Sequence, residues 1–359
     1  MEHQDNIHTY LKWRGDLSVK DSPFNDIDAL ILCEMVYVHF ENIVPGVGED
    51  GDITIAEAAA KYKKSEEKSV LYYAEKEDLF LALANTPRFA EMTLCNYVST
   101  IDLKKQEQFA AMHINITPTL TFVAFRGTDA TIVGWRENFN MSYMMPVPAQ
   151  QSAVDYVNQT MKGLFRKYWF GGHSKGGNLS IYAGMFCEPR NQKKIVRINS
   201  FDGPGFNRTV VHDESYLAIK GKIAAYVPVS SVVGMLMEHE EEYQVVMSNG
   251  ISLEQHEGLT WRVTGTNFEI ADQVDGFSQY LSTTLKSWLS KVDVNDRRDF
   301  VEAVFHVLEE ANVTDLSDFS KIDVKTAGAL IKAATKAPHE QRELVGKLTK
   351  MLIEESRKK

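Results

Sequence analysis

Lys167-Tyr-Trp-Phe-Gly-Gly-His-Ser174-Lys175-Gly176-Gly177-Asn178 reads as an apolar strand running into Gly172-His173-Ser174-Lys175-Gly176, a G-x-S-x-G pattern. A helix-like run, Leu179 to Cys187, follows at once. Strand, sharp turn and helix is the order that a nucleophile elbow needs. The serine sits where the turn is tightest, and glycines two before and two after let strand and helix approach closely. The helix N-terminus then lies under Ser174, where its N–H groups and positive dipole end favour an oxyanion.

Outward from the elbow, strands alternate with helices, which predicts an α/β sheet. Upstream, residues 25–40 are strongly apolar and helical, opened by Asp26 or Asp28 as a cap. Residues 54–64 and 76–98 read as further helices. Gln108–Ile114 and Leu120–Phe125 flank Thr117-Pro118 as a β-hairpin, and a helix over 151–166 precedes the elbow strand. Downstream, Ile195–Phe201 is a β-branched strand ending in Asp202-Gly203-Pro204-Gly205. Lys222–Val229, Tyr243–Met247 and Trp261–Phe268 supply later strands. From about residue 277 the pattern is helical (277–292, 296–311, 323–336 and 339–357), rich in Lys and Glu and without a chemical motif. The expected organisation is therefore a sheet domain over 1–275 and a C-terminal helical appendage over 276–359.

The 359 residues are 44% hydrophobic and 25% charged, enough for a sizeable core. A formal net charge of −10 argues against a nucleic-acid partner. Cys33, Cys95 and Cys187 are far apart and have no metal-ligand spacing, which fits unpaired thiols in a reducing compartment. The N-terminus lacks a basic stretch followed by an apolar run, and no segment has about 18 consecutive apolar residues. A cytoplasmic location with no transmembrane segment is the expectation.

A serine nucleophile needs a base, an orienting acid and oxyanion donors. In hydrolases built on this elbow the base follows the serine in the chain. His306 and His339 fall on the helical tail, and His212 and His239 sit in acidic surroundings. His256, in Gln255-His256-Glu257-Gly258-Leu259-Thr260-Trp261, lies between two late strands and is the expected base. Asp202 ends the strand after the elbow helix, at a carboxyl end where catalytic groups gather, and is the expected acid. Asp213 and Glu238 lie near the same region. The oxyanion donors expected are the N–H groups of Lys175, next to the nucleophile, and of Thr128, in the turn after Val123-Ala-Phe-Arg126-Gly127.

These residues carry a resemblance. Phe125-Arg126-Gly127-Thr128, Trp135, Gly172-His173-Ser174-x-Gly176 and His256-x-Gly258-x-x-Trp261 resemble, in this order, the motifs of class 3 (fungal-type) lipases. More closely, the chain is similar to bacterial lipase-like proteins grouped as a family of unknown function. Shared with these are Tyr10-Leu-Lys-Trp-Arg-Gly-Asp-Leu-Ser18, Ser22-Pro-Phe-Asn25, His173-Ser-Lys-Gly-Gly-Asn178, Phe201-Asp-Gly-Pro-Gly-Phe206 and Ser231-x-Val-Gly-Met-Leu236. The resemblance covers roughly residues 7–275. It implies an α/β-hydrolase fold, a carboxylic-ester or lipid substrate and no metal or organic cofactor.

One departure stands out. Class 3 lipases carry their acid in a D-x-V-P motif after the next strand, where this chain has Ser231. Pancreatic-type lipases place the acid one strand earlier, in a context that Phe201-Asp202-Gly203-Pro204 resembles. The expected activity is ester hydrolysis through an acyl-enzyme on Ser174. A thioesterase or acyltransferase would use the same groups. A non-catalytic scaffold of the same fold is the alternative that Ser231 favours. Met141-Ser-Tyr-Met-Met-Pro-Val-Pro148 is either an acyl-pocket lining or lid, or a buried connector.

Overall fold

A single nine-stranded sheet organises the chain. In the computed structural model, which describes residues 5–63, 74–129, 131–311 and 338–357, the sheet runs β1 (Ile53–Thr54), β2 (Thr93–Asp102), β3 (Glu107–Thr117), β4 (Leu120–Phe125), β5 (Lys167–His173), β6 (Ile195–Phe201), β7 (Ile223–Pro228), β8 (Tyr243–Val246) and then Ile270–Ala271. Strands β4 to β8 are parallel neighbours in chain order, and antiparallel pairs close both edges. Between β8 and the last strand, β9 (Val263–Thr264) and β10 (Asn267–Phe268) form a separate two-stranded ribbon, so Ile270–Ala271 is β11. The carboxyl ends of β5, β6, β7 and β8 therefore lie side by side, and the loops leaving them share one edge of the sheet.

The described helices are, first, α1 (Ile7–Arg14), α2 (Asp26–Met35), α3 (Ile55–Tyr62), α4 (Ala74–Leu83), α5 (Ile132–Asn140), α6 (Pro148–Thr160) and α7 (Lys175–Phe186). Three short ones follow, α8 (Pro189–Gln192), α9 (Arg208–Val211) and α10 (Glu214–Lys220), then α11 (Gly276–Lys291), α12 (Val294–Glu310) and α13 (His339–Ser356). None of the described helices is long and apolar enough to cross a membrane. The mixed α/β architecture and the hairpin of β3 and β4 are as the sequence predicts. The helix expected over 323–336 lies outside the described residues.

Trp261–Phe268 is not one strand but turns back on itself as the β9–β10 ribbon, and two further expectations change. Residues 76–98 are not one helix: α4 stops at Leu83 and β2 begins at Thr93. Thr86-Pro87 lies between them, and the residue before a proline is pushed toward extended geometry. Beyond it, Ile53 and Thr54 pair with Leu94 and Thr93, and sheet pairing wins over helical periodicity. The cap of α2 is Asn25, not Asp26 or Asp28. Its side chain accepts from the N–H groups of Ile27 and Asp28, and the Asp28 carboxylate accepts from the Asn25 N–H at 2.9 Å. Every residue of α2 from Ile27 to Met35 is buried, which explains its almost unbroken apolar run.

The described residues divide into two compact units. The first comprises those within Met1–Thr100, Phe109–Gly127 and Ala149–Ser278 and holds the parallel strands. Its core joins α2, α3 and α4 to the sheet through residues such as Leu30, Phe40, Phe80, Phe122 and Phe201. The second comprises those within Ile101–Gln108, Thr128–Pro148 and Gln279–Lys359. There Ile132, Val301 and Phe305 form a small core. The Phe139 and Phe305 rings meet at 5.6 Å, and Arg136 pairs with Glu309 at 2.6 Å. Trp288 Nε1 donates to the Leu348 carbonyl at 3.0 Å, tying α11 to α13.

The N-terminal segment of the first unit is locked by a buried ion pair. Arg88 donates through Nε to Asp28 Oδ1 at 2.7 Å and through Nη2 to Oδ2, and Nη1 donates to the carbonyls of Leu17 and Ser22. Tyr10 donates its hydroxyl to Asp28 Oδ1 at 2.9 Å. Both charged side chains are shielded from water, so each depends on the other. Arg88→Met should strand the Asp28 charge and cost about 3–5 kcal/mol of stability. A urea unfolding midpoint that stays at the wild-type value would contradict this.

Candidate functional site

The elbow is built by glycines packed against backbone. A Cβ on Gly172 would overlap the Gly176 backbone, and one on Gly176 would overlap the Phe125 carbonyl oxygen. One on Gly177 would stand 2.6 Å from Ser200 Oγ and 3.2 Å from Gly203 Cα. Glycine is therefore required wherever β4, β5, β6 and α7 converge. Ser174 takes the strain of the turn, with φ 57° and ψ −131°. Such a conformation costs on the order of 1–3 kcal/mol in a non-glycine residue and is kept only where its surroundings impose it. The Ser174 N–H donates to the Phe201 carbonyl at 2.9 Å, and its own carbonyl accepts from Gly177. Ser174 caps no N–H with its side chain, and the hydroxyl makes no hydrogen bond among the described residues. In free enzymes the nucleophile–base hydrogen bond is often long and tightens only with substrate.

Asp202 follows β6 directly and is fully buried. Its backbone is also left-handed, at φ 48°, and its N–H donates to the Tyr226 carbonyl at 2.7 Å. This turn aims the carboxylate across the edge of the sheet. Oδ2 lies 2.6 Å from His256 Nδ1. Oδ1 accepts from Ser231 Oγ at 2.5 Å and from the Gly234 N–H at 3.0 Å. A carboxylate only accepts, so Nδ1 of His256 carries the proton and Nε2 keeps its lone pair. Burial pulls the His256 pKa down, but the Asp202 hydrogen bond and charge, with Glu257 and Glu34 behind them, outweigh it and hold it above the ordinary value.

His256 ends a short 3₁₀ segment, Ser252–His256, between β8 and β9. Three anchors fix this loop. Trp261 Nε1 donates to the Gln255 carbonyl at 2.8 Å, and the Gln255 side chain accepts from the Ser230 N–H at 2.9 Å. His173 Nε2 lies 2.6 Å from the His256 carbonyl oxygen. A carbonyl only accepts, so His173 is protonated on Nε2. Its Nδ1 faces the Tyr37 hydroxyl at 3.3 Å. Burial lowers the pKa of His173, which keeps it neutral, and its ring lies 4.6 Å from that of His256. Gly258 lets the loop approach α2 closely: a Cβ there would meet Leu30 Cδ1 at 2.9 Å and crowd the Glu34 carboxylate, which are side-chain ends rather than backbone.

Asn178, the last residue of the quoted stretch, steadies the acid loop. Its Nδ2 donates to the carbonyls of Pro204 and Gly205 at 3.1 and 2.9 Å, and Gln150 donates to its Oδ1 at 2.8 Å. Gly127 packs against Ser174: a Cβ there would lie 3.2 Å from Ser174 Cβ. Lys175 is the first residue of α7 and its side chain is buried. Thr128, next after Gly127, belongs to the second unit, where its hydroxyl accepts from Asn138 Nδ2 at 2.6 Å. So does Met141–Pro148, in which Met141 and Val147 are buried and the Ser142 carbonyl accepts from Arg297 at 2.6 Å.

The other downstream histidines have other partners. His212 is exposed near Glu240, His239 pairs with Glu241 at 3.0 Å, His306 is exposed on α12, and His339 faces Glu343 on α13. Asp213 caps α10 through Ser215. The structure thus brings Ser231, Asp202 and His256 into one hydrogen-bonded line beside the elbow. Sequence reasoning missed His173, Glu34, Lys76 and Glu257. The only signal available was Glu34 itself, a lone acid inside the apolar run Ala29–Met35.

The chain belongs to the Mbeg1-like family, a lipase-like family whose model matches residues 83–306. No curated protein matches it. Among solved structures it is similar to M37 lipase, at 14% identity over 57% of this chain and 68% of that one, with a TM-score of 0.34. It is also similar to Rhizomucor miehei lipase in its propeptide complex, at 14% identity over 54% of this chain and 67% of that one, with a TM-score of 0.34.

Ser231 now has a physical role distinct from that of an acid. Restoring the class 3 residue with Ser231→Asp should set two buried carboxylates against each other, so that one is driven to take up a proton. The thermal midpoint should fall, and the deficit should widen between about pH 5 and about pH 8, because the unfolded state loses both protons freely. Thermal melts at the two pH values check this; a deficit that narrows with rising pH contradicts it.

Proposed function

We propose that this protein is a serine ester hydrolase, with Ser174 as nucleophile, His256 as base and Asp202 as the acid that orients it. The single observation that carries the reading is the hydrogen bond between Asp202 Oδ2 and His256 Nδ1 at 2.6 Å, next to a serine held in a strained elbow. That bond leaves His256 Nε2 as the atom able to take a proton. Membership of a lipase-like family fits an ester or lipid substrate.

In the proposed cycle the Ser174 hydroxyl attacks the acyl carbonyl while His256 Nε2 removes its proton. The imidazolium that forms is stabilised by the Asp202 charge, and Ser231 and Gly234 keep that carboxylate aimed at the ring. The oxyanion is assigned to the N–H of Lys175, at the positive end of α7, and the sequence assigns the second donor to Thr128. Collapse of the tetrahedral intermediate breaks the ester bond, and the proton on His256 passes to the leaving alcohol. Water then attacks the acyl-enzyme with His256 again as base, which frees the acid and restores Ser174. A thioesterase or acyltransferase differs only in the leaving group or acceptor, so graded p-nitrophenyl esters and acyl thioesters separate these readings. The non-catalytic alternative draws its support from the missing acid at position 231; Asp202 beside His256 supports the catalytic reading instead.

Labelling with a fluorophosphonate should be lost in Ser174→Ala and in no way depend on a metal chelator. Full labelling of the alanine variant contradicts the assignment. His256→Ala should lower kcat by several orders of magnitude, because an unassisted serine is a weak nucleophile. Asp202→Asn should cost on the order of 10⁴ in kcat, the figure found when the acid of a serine-protease triad is so changed. The base works only when deprotonated, so the rate should rise with pH through the His256 pKa. That limb should lie above the roughly 6.5 of an ordinary histidine. A limb well below this value contradicts the pairing with Asp202.

A further inference from the structure

Beside the site lies a buried cation, Lys76, where a lone charge would be expelled. Lys76, on α4, is 7% exposed. Its Nζ donates to Glu34 Oε2 on α2 and, at 2.7 Å, to Glu257 Oε2. Glu34 is fully buried, and Glu257 is the residue directly after His256. The second Glu34 oxygen, Oε1, has no hydrogen-bond partner among the described residues and stands 3.5 Å from His173 Nδ1. His173 in turn holds the His256 carbonyl. Both carboxylates that Lys76 pairs with therefore lead to His256, one as its chain neighbour and one through His173, whose ring lies tilted against it.

The energetics argue that this arrangement does more than fill space. Burying charges costs several kcal/mol per ion, and a well-packed apolar cluster often serves stability as well or better. Here Lys76 of α4 and Glu34 of α2 are kept in the interior, and the half-exposed Glu257 of the His256 loop completes the cluster, within reach of a proton-transfer group. Burial would depress the Lys76 pKa, but the charges of Glu34 and Glu257 raise it, so the side chain remains a cation. Lys76 in turn lowers the Glu257 carboxyl to about 2 against the cost of burial.

We propose that Lys76 is a positioning residue for His256: it clamps the loop that carries the imidazole through Glu257, and it balances the two carboxylates that face the histidine pair. The inference rests on the reading of His256 as the general base. The groups that face His256 are Asp202 from the end of β6, His173 from β5, Glu257 on its own loop, Glu34 from α2 and, through these carboxylates, Lys76 from α4. With the cation removed, Glu34 and Glu257 act on the imidazole unopposed and favour its protonated form. With the Glu257 charge removed, Lys76 and Glu34 offset each other, the imidazole loses a negative neighbour and gives up its proton more readily. The two changes move His256 in opposite directions. Mere loosening of the loop would move both the same way.

The test is an NMR titration of the His256 ring in the full chain, assigned by the signal missing from His256→Asn, for wild type, Lys76→Met and Glu257→Gln. The pH dependence of fluorophosphonate labelling is measured on the same proteins. The His256 midpoint should rise by about one pH unit in Lys76→Met and fall in Glu257→Gln, with the labelling limb following each. Should Lys76→Met fail to fold, Glu257→Gln decides by itself: a fall supports the inference, and a midpoint at or above the wild-type value overturns it. Midpoints that shift in the same direction, or not at all, also overturn it. Opposite shifts in a wild type and variants that take no label would uphold the ion network and count against the ester-hydrolase reading instead.

Discussion

Strand β5 and helix α7 meet backbone to backbone, and every functional distance in the first unit depends on that contact. Gly172 sits on Gly176, Gly176 on the Phe125 carbonyl, and Gly177 on Gly203 and Ser200. No residue with a Cβ fits at these places. The close approach forces the chain through a left-handed Ser174, and so presents its side chain at the carboxyl edge of the sheet at the start of a helix. The strain is held by the Ser174–Phe201 hydrogen bond and by the depth of burial around it.

The acid is delivered by the same means one strand further on. Asp202 leaves β6 in a second left-handed turn, anchored on Tyr226. The adjacent loops share the task of orienting it. Asn178 holds the Pro204–Gly205 backbone, Gly234 and Ser231 occupy one carboxylate oxygen, and His256 takes the other. A buried carboxylate with all its bonds made in one geometry has little freedom to rotate. The serine at position 231 is thus a hydrogen-bond donor to an acid that arrives from the neighbouring strand.

Around this line the protein keeps a shell of paired charges. Asp28 with Arg88 ties the N-terminal segment to the chain that leads into β2, and Glu34 with Lys76 and Glu257 ties α2 and α4 to the loop of His256. Each pair replaces water with a partner, so each is intolerant of losing one member. Both draw on α2, which precedes every strand of the sheet in the chain. The N-terminal hundred residues therefore do more than cover the sheet: they reach the back of the site.

What could be read in the chain alone was whatever local chemistry carries. The elbow was legible because five consecutive residues specify it. The β3–β4 hairpin and the order Ser174, Asp202, His256 were legible because strand ends and turns leave signatures within a few residues. The cap at Asn25 and the strand at Thr93 were not. A reciprocal cap competes among near neighbours of similar type, and β2 owes its state to partners at Ile53 and in β3 rather than to its own periodicity. Residues 34, 76, 173 and 257 meet only in three dimensions, and nothing in the spacing of a lone Glu34 or of a lysine among the acids of α4 marks them as partners. The sequence by itself determined the turn at Ser174 and the layered α/β plan, through steric and periodic rules that act over short stretches. Tertiary structure alone decided which oxygen of Asp202 faces His256, what Ser231 does, and where the buried cation stands, because low dielectric and close packing act between groups that the chain holds far apart.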